Sequence, residues 1–141
     1  MKIHHVGYLV KNIEKSAAAF RAVGFSDILY PDGSFICYDG TRDCDICFME
    51  HNENGASVCI ELISPQSSGS PICGLMEKYK NSPYHMCFES DDFEKDIENL
   101  RAKGWSVFTQ PAAAPAIDGK NVVFLIHRSA GIIELIDVEK K

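Results

Sequence analysis

The chain repeats part of itself. His5-Val-Gly-Tyr-Leu-Val-Lys-Asn-Ile-Glu-Lys aligns with His85-Met-Cys-Phe-Glu-Ser-Asp-Asp-Phe-Glu-Lys at an offset of 80, with His at the head and Glu-Lys at the tail of each segment. At the same offset Gly24-Phe25 meets Gly104-Trp105. A recurrence of this kind restricts the fold more than composition does, because both halves must build the same supersecondary unit.

Each half opens on an apolar strand, about 2–10 and 83–90, and continues into a helix, about 13–23 and 92–103. Asn12 and either Asp91 or Asp92 are N-cap candidates, and Gly24 and Gly104 stand where a left-handed residue ends a helix. Ile13, Ala17 and Phe20 form a one-sided stripe in the first helix, as do Phe93, Ile97 and Leu100 in the second. Strand-like runs follow at about 34–38, 44–50 and 57–64 in the first half, and at about 105–109, 121–127 and 131–137 in the second. Each half therefore reads β-α-β-β-β, and the fold class is α+β. Module 1 spans about 1–65 and module 2 about 83–141, with a Ser- and Gly-bearing connector of about 66–82 that carries a short helical stretch, PICGLMEKYK. At 141 residues the two modules fit one domain with a shared core.

The last strand of each half poses a question. Residues 59–64 read CIELIS and residues 132–137 read IIELID, so a carboxylate interrupts the same apolar run twice. Side chains alternate along a strand, which puts Glu61 on one face with Cys59 and Ile63, and Glu134 with Ile132 and Ile136. Neither face is polar, and an ionised carboxylate in apolar surroundings requires a cationic or hydrogen-bonded partner. One such Glu reads as an edge residue reaching water. Two in matching contexts favour a shared cause.

Each half also offers one His on its first strand. Either alone reads as a hydrogen-bonded core or rim histidine. Together, His5, Glu61, His85 and Glu134 make two imidazoles and two carboxylates, a donor set for one divalent Ni, Co, Mn, Fe or Zn ion. Such an ion would keep both carboxylates ionised. His4 points away from His5 and is not selected, while His51 and His127 show no counterpart in the opposite half and read as surface or rim residues.

Composition removes several other functions. A net charge of −6 leaves no basic footprint for nucleic acid. No run approaches the ~18 apolar residues of a membrane span, and Met1-Lys-Ile-His-His has no signal-peptide core, so a cytoplasmic location without a membrane partner is expected. Of the six cysteines, Cys44 and Cys47 have CxxC spacing, but no second CxxC follows and the run reads as a strand, so structural thiols are expected.

Taken together, IHHVGYLVKNIEKS, VCIELISP, SPYHMCFESDDFEKDIENLRAKG, APAIDGKNVVFL and GIIELID resemble the vicinal oxygen chelate superfamily, which includes glyoxalase I, methylmalonyl-CoA epimerase, extradiol dioxygenases and bleomycin-resistance proteins. The run from Ser70-Pro71 through Tyr84-His85-Met86 to Gly104 is most similar to the epimerase. The resemblance implies two paired βαβββ modules in a glyoxalase-like fold with a central open cleft. It also implies a metal held by His5, Glu61, His85 and Glu134. Glu134 becomes the base that removes a proton next to a carbonyl, and Asp45 lies near where the epimerases place a second carboxylate, subject to a strand register uncertain by one residue.

The implied function is a metal-dependent isomerase, an epimerase acting on a small molecule with vicinal or carbonyl oxygens, a thioester among the candidates, in a homodimer. The alternatives are a glyoxalase I-like lactoylglutathione lyase and a non-catalytic protein that sequesters a ligand. The lyase needs basic anchors for glutathione, and no clear cluster is present. Sequestering members commonly lack the metal residues, and all four are retained here.

Overall fold

A computed structural model describes residues 1–139. Two compact units make up the chain: His5–Pro83, and Met1–His4 together with the segment from Tyr84 onward. The elements run β1 (Lys2–Leu9), α1 (Ile13–Ala22), β2 (Ser26–Ile28), β3 (Cys37–Asp39), β4 (Cys44–Glu53), β5 (Ala56–Pro65), α2 (Cys73–Tyr79), β6 (Ser82–Ser90), α3 (Phe93–Ala102), β7 (Ser106–Ala114), a 3-10 turn (Pro115–Ile117), β8 (Lys120–His127) and β9 (Gly131–Asp137).

In the first unit β1 pairs with β5 in parallel, and β5 pairs antiparallel with β4, whose other edge takes up β2 and β3. In the second, β6 pairs with β9 in parallel, β9 antiparallel with β8, and β8 antiparallel with β7. The mixed pairing follows from the connections. A helix crossover returns the chain parallel to its starting strand, whereas short turns reverse it. Asn54-Gly55, both at positive φ (52° and 80°), close β4 onto β5 as a two-residue hairpin.

α1 and α3 each cover one face of the strands of their own unit. Ile13 and Ala17 of α1 pack with Cys47 and Met49 of β4 and Ile60 and Leu62 of β5, with Phe20 against them. Phe93, Ile97 and Leu100 of α3 pack on Val123, Leu125 and Leu135. Both stripes expected from the sequence meet these cores. Asn12 caps α1, its side-chain oxygen accepting from the Lys15 backbone N–H at 2.9 Å. Gly24 and Gly104 follow the helices at φ 105° and 97°.

Two strand boundaries differ from the expectation. The run 34–38 was expected as a full strand, but only Cys37–Asp39 pairs, and the strand after α1 is Ser26–Ile28, too short and polar to show a pattern. The strand expected to stop near 109 continues through Pro111 to Ala114. An edge strand tolerates a missing N–H, and register shifts between Val107 and Ala112 absorb the irregularity. No helix among the described residues is long and apolar enough to cross a membrane.

Candidate functional site

In the first unit, Glu61 lies beside Gly7 in the parallel ladder of β5 and β1. His5, two residues before Gly7, shares that face. Ile60 and Leu62 occupy the other face, in the core under α1. Glu61 is therefore held on the side of the sheet away from its helix. Its Oε1 stands 3.4 Å from His5 Nε2, with the two side chains only 4% and 0% exposed. Directly across from Glu61 on β4 is Phe48, whose ring lies 5.3 Å from the His5 ring at 76°.

The second unit repeats this arrangement. Glu134 lies beside Cys87 in the ladder of β9 and β6, and His85 is again two residues earlier on the same face. His85 Nε2 and Glu134 Oε1 are 3.3 Å apart, with side chains 0% and 5% exposed. Phe124 of β8 stands across from Glu134, its ring 5.2 Å from the His85 ring at 88°. Tyr84, next in sequence, also packs edge-on to His85 at 4.4 Å.

The spacing within each pair is informative. A charge-assisted N–H···O bond between imidazolium and carboxylate closes to about 2.7–2.9 Å. Two ligand atoms each ~2.1 Å from a common ion lie about 3.0 to 3.4 Å apart, from right-angle to tetrahedral coordination. Both pairs fall in or beside the second range. A buried imidazole facing a buried carboxylate at that separation offers donors of the kind a divalent ion takes, so the residues present fit such an ion.

Asp45 does not join either pair. Its cross-strand neighbours show that Ile46 and Phe48 share the face of Glu61, whereas Cys47 and Met49 lie in the core under α1. Asp45 alternates with the latter and projects to the helix side, where Gln66 Nε2 donates to its carboxylate at 3.1 Å. Partial burial, followed by the charges of Asp43 and of Glu14 on α1, holds its carboxyl above the ordinary range. The register uncertain by one residue resolves against a place for Asp45 beside Glu61. The same alternation separates Cys44 from Cys47, and burial pushes each thiol up to about 12, so neither is a ready thiolate ligand.

His51 and His127, expected to lack counterparts, are in fact equivalent. His51 packs over Gly24 and lies 5.3 Å from Phe25, and His127 packs over Gly104, 5.1 Å from Trp105. Phe48 and Phe124 also went unnoticed in the sequence. Both sets are separated by 76 residues, and Glu61 and Glu134 by 73, so the repeat drifts from its initial offset of 80. A search at one fixed offset passes over them.

Residues 3–124 match the family model of the Glyoxalase/Bleomycin resistance protein/Dioxygenase superfamily. The chain belongs to that superfamily. It is 26% identical over 140 residues to the mitochondrial methylmalonyl-CoA epimerase of Mus musculus, covering 99% of this chain and 72% of the relative. Among solved structures, a hypothetical protein from Bacillus halodurans C-125 shares the fold with a TM-score of 0.78 at 21% identity, covering 99% of this chain and 96% of the other. The Streptomyces coelicolor methylmalonyl-CoA epimerase in complex with 2-nitronate-propionyl-CoA gives a TM-score of 0.76 at 19% identity, covering 97% and 96%.

Proposed function

We propose that the chain is a divalent-metal-dependent epimerase that inverts a carbon flanked by two carbonyl groups, with methylmalonyl-type CoA thioesters as its substrate class. The observation that carries this reading is the duplicated pair, in which each unit buries one imidazole against one carboxylate on corresponding strands. We assign both pairs to a single ion, with His5, Glu61, His85 and Glu134 as its ligands. Two carboxylates balance the charge of a dication, and neutral imidazoles complete the set. Ni, Co, Mn, Fe and Zn all suit these donors. Once bound, the ion supplies Lewis acidity toward substrate oxygens.

The chain's own groups perform the proton transfer. Glu134, as carboxylate, takes the proton from the carbon between the carbonyls and carries it on oxygen. The electron pair left behind passes into the adjacent carbonyl, so no oxidant or reductant takes part. Burial of Glu134, which shares its face of β9 with the buried Ile132 and Ile136, keeps bulk water from exchanging that proton freely. A proton drawn from water and added on the other face completes the inversion, after which Glu134 releases the proton it took to solvent. Asp45, on the helix side of β4, is not assigned that step. A cytoplasmic homodimer belongs to the same reading, and sedimentation of the purified protein tests the assembly.

The decisive measurement is deuterium incorporation at the 2-carbon of methylmalonyl-CoA in deuterated water, using metal-loaded protein, with a hemithioacetal assayed in parallel. Exchange of the thioester proton, lost on chelation, is expected. Conversion of the hemithioacetal without thioester exchange would move the assignment to a lyase. Absence of both activities would leave a ligand-sequestering protein.

A further inference from the structure

We propose that Phe48 and Phe124 are positioning residues that fix the planes of the two imidazoles, and so set how tightly the ion is held; this rests on the metal site proposed above. The two phenylalanines sit at the same place in their respective units. Each is the residue directly opposite the Glu in the antiparallel ladder. Each is buried, at 7% and 8% exposure. Each meets the neighbouring imidazole nearly at right angles, with ring centres 5.3 and 5.2 Å apart.

Ordinary core packing explains one such contact more easily than two. The helix-facing residues that occupy corresponding positions in the two cores differ in size and kind: Met49 and Leu125 follow the two phenylalanines, and Cys47 and Val123 precede them. On the site face the aromatic ring is kept in both units. A phenyl ring offers no hydrogen bond, so its effect on a ligand is steric and dielectric. Packed edge-on, it restricts rotation of the imidazole about its bond to Cβ and keeps Nε2 aimed along the line toward the Glu oxygen. It also keeps water away from the pair. Groups surrounding the ligands of a metal commonly control affinity in these ways.

The test uses the full-length protein loaded with Co2+, whose visible absorption reports ligand geometry, and a chelator competition that reads affinity. Phe48→Leu and Phe124→Leu should each weaken Co2+ binding by about tenfold or more and change the absorption band. The double variant should be weaker than either, and Phe124→Tyr, which retains a ring, should stay near wild type. Met49→Leu, a core change on the opposite face beside Phe48, should leave both readouts unchanged while urea unfolding registers any loss of packing. Phe48→Met and Phe124→Met replace any Leu variant that does not fold. Folded variants that bind Co2+ within about threefold of wild type with an unchanged band would show that the rings only pack. Wild-type protein that takes up no Co2+ would overturn the metal site itself, and this inference with it.

Discussion

The unit His5–Pro83 lines the outer side of β4 with two three-residue strands, β2 and β3, whereas the other unit lines β8 with one nine-residue strand, β7, paired through two register shifts and followed by a 3-10 turn and left-handed Asp118 and Gly119. Toward the parallel strand pair the difference disappears. The His–Glu spacings are 3.4 and 3.3 Å, and the His–Phe ring distances 5.3 and 5.2 Å. The ladders that carry the pairs, β1–β5–β4 and β6–β9–β8, thus tolerate large changes at the sheet edge. The ladders keep the same His–Glu–Phe geometry in both units, while the edges differ in strand length and turn.

The largest expected effect breaks the symmetry between the two carboxylates. An amide oxygen can ligate a metal but is no base at neutral pH. Glu134→Gln should therefore retain part of its metal and lose about 10²–10⁴-fold in substrate-proton exchange, the usual range for a general base. Glu61→Gln should keep the ion and much of the activity. His5→Ala and His85→Ala should behave alike, both losing metal by elemental analysis without loss of secondary structure by circular dichroism. Equal loss of exchange in the two Gln variants, with metal retained in both, would show that the carboxylates share one role.

Much of this was legible in the sequence, for physical reasons that can be named. The Glu residues announce themselves because each interrupts a short, continuous apolar run, and the histidines because the repeat superimposes them. Helix stripes and glycine stops are local signals and emerged with their correct faces. What failed to show depends on pairing between strands. The side on which Asp45 projects follows from the register between β4 and β5, which a one-residue slip inverts. Phe48 and Phe124 acquire meaning only when a partner strand sets them opposite a Glu. The three-residue β2 has too few positions to display a pattern.

A smaller effect compares the helix stops. A Cβ on Gly24 would lie 2.7 Å from His51 Nε2, and one on Gly104 would lie 3.0 Å from His127 Nε2. Both backbones also have φ near 100°, where L residues are strained. Gly24→Ala should cost about 3 kcal/mol and Gly104→Ala about 2 kcal/mol, measured by urea unfolding. The difference should shrink in backgrounds carrying His51→Ala and His127→Ala, which leave only the backbone strain of about 1–2 kcal/mol. His127 complicates its own side of the comparison, since its Nδ1 accepts from the Ser129 N–H at 3.0 Å and the ring is less able to swing aside. If Gly104→Ala proves the more costly of the two, that anchor outweighs the extra room.

The smallest effect lies at the other end of the same helices. Asn12 and Asp92 precede α1 and α3 at equivalent places, and the backbone carbonyl of each accepts from the residue four positions on, Ser16 and Asp96. Their side chains behave differently. Asn12, at ψ 108°, directs its oxygen to the Lys15 N–H, while Asp92, at ψ 76°, makes no capping bond. Removing a working cap costs about 1 kcal/mol, so Asn12→Ala should lower the unfolding free energy by that amount. Asp92→Ala removes only a charge near a helix N-terminus, an effect of about 0.3–1 kcal/mol at low ionic strength. Salt separates the mechanisms: the loss at Asp92 should fade as ionic strength rises, because screening acts on the charge, and the loss at Asn12 should not. Urea unfolding of both variants at low and high salt reads this directly, and a salt-independent loss of about 1 kcal/mol at Asp92 would mean that its side chain caps α3 in solution after all.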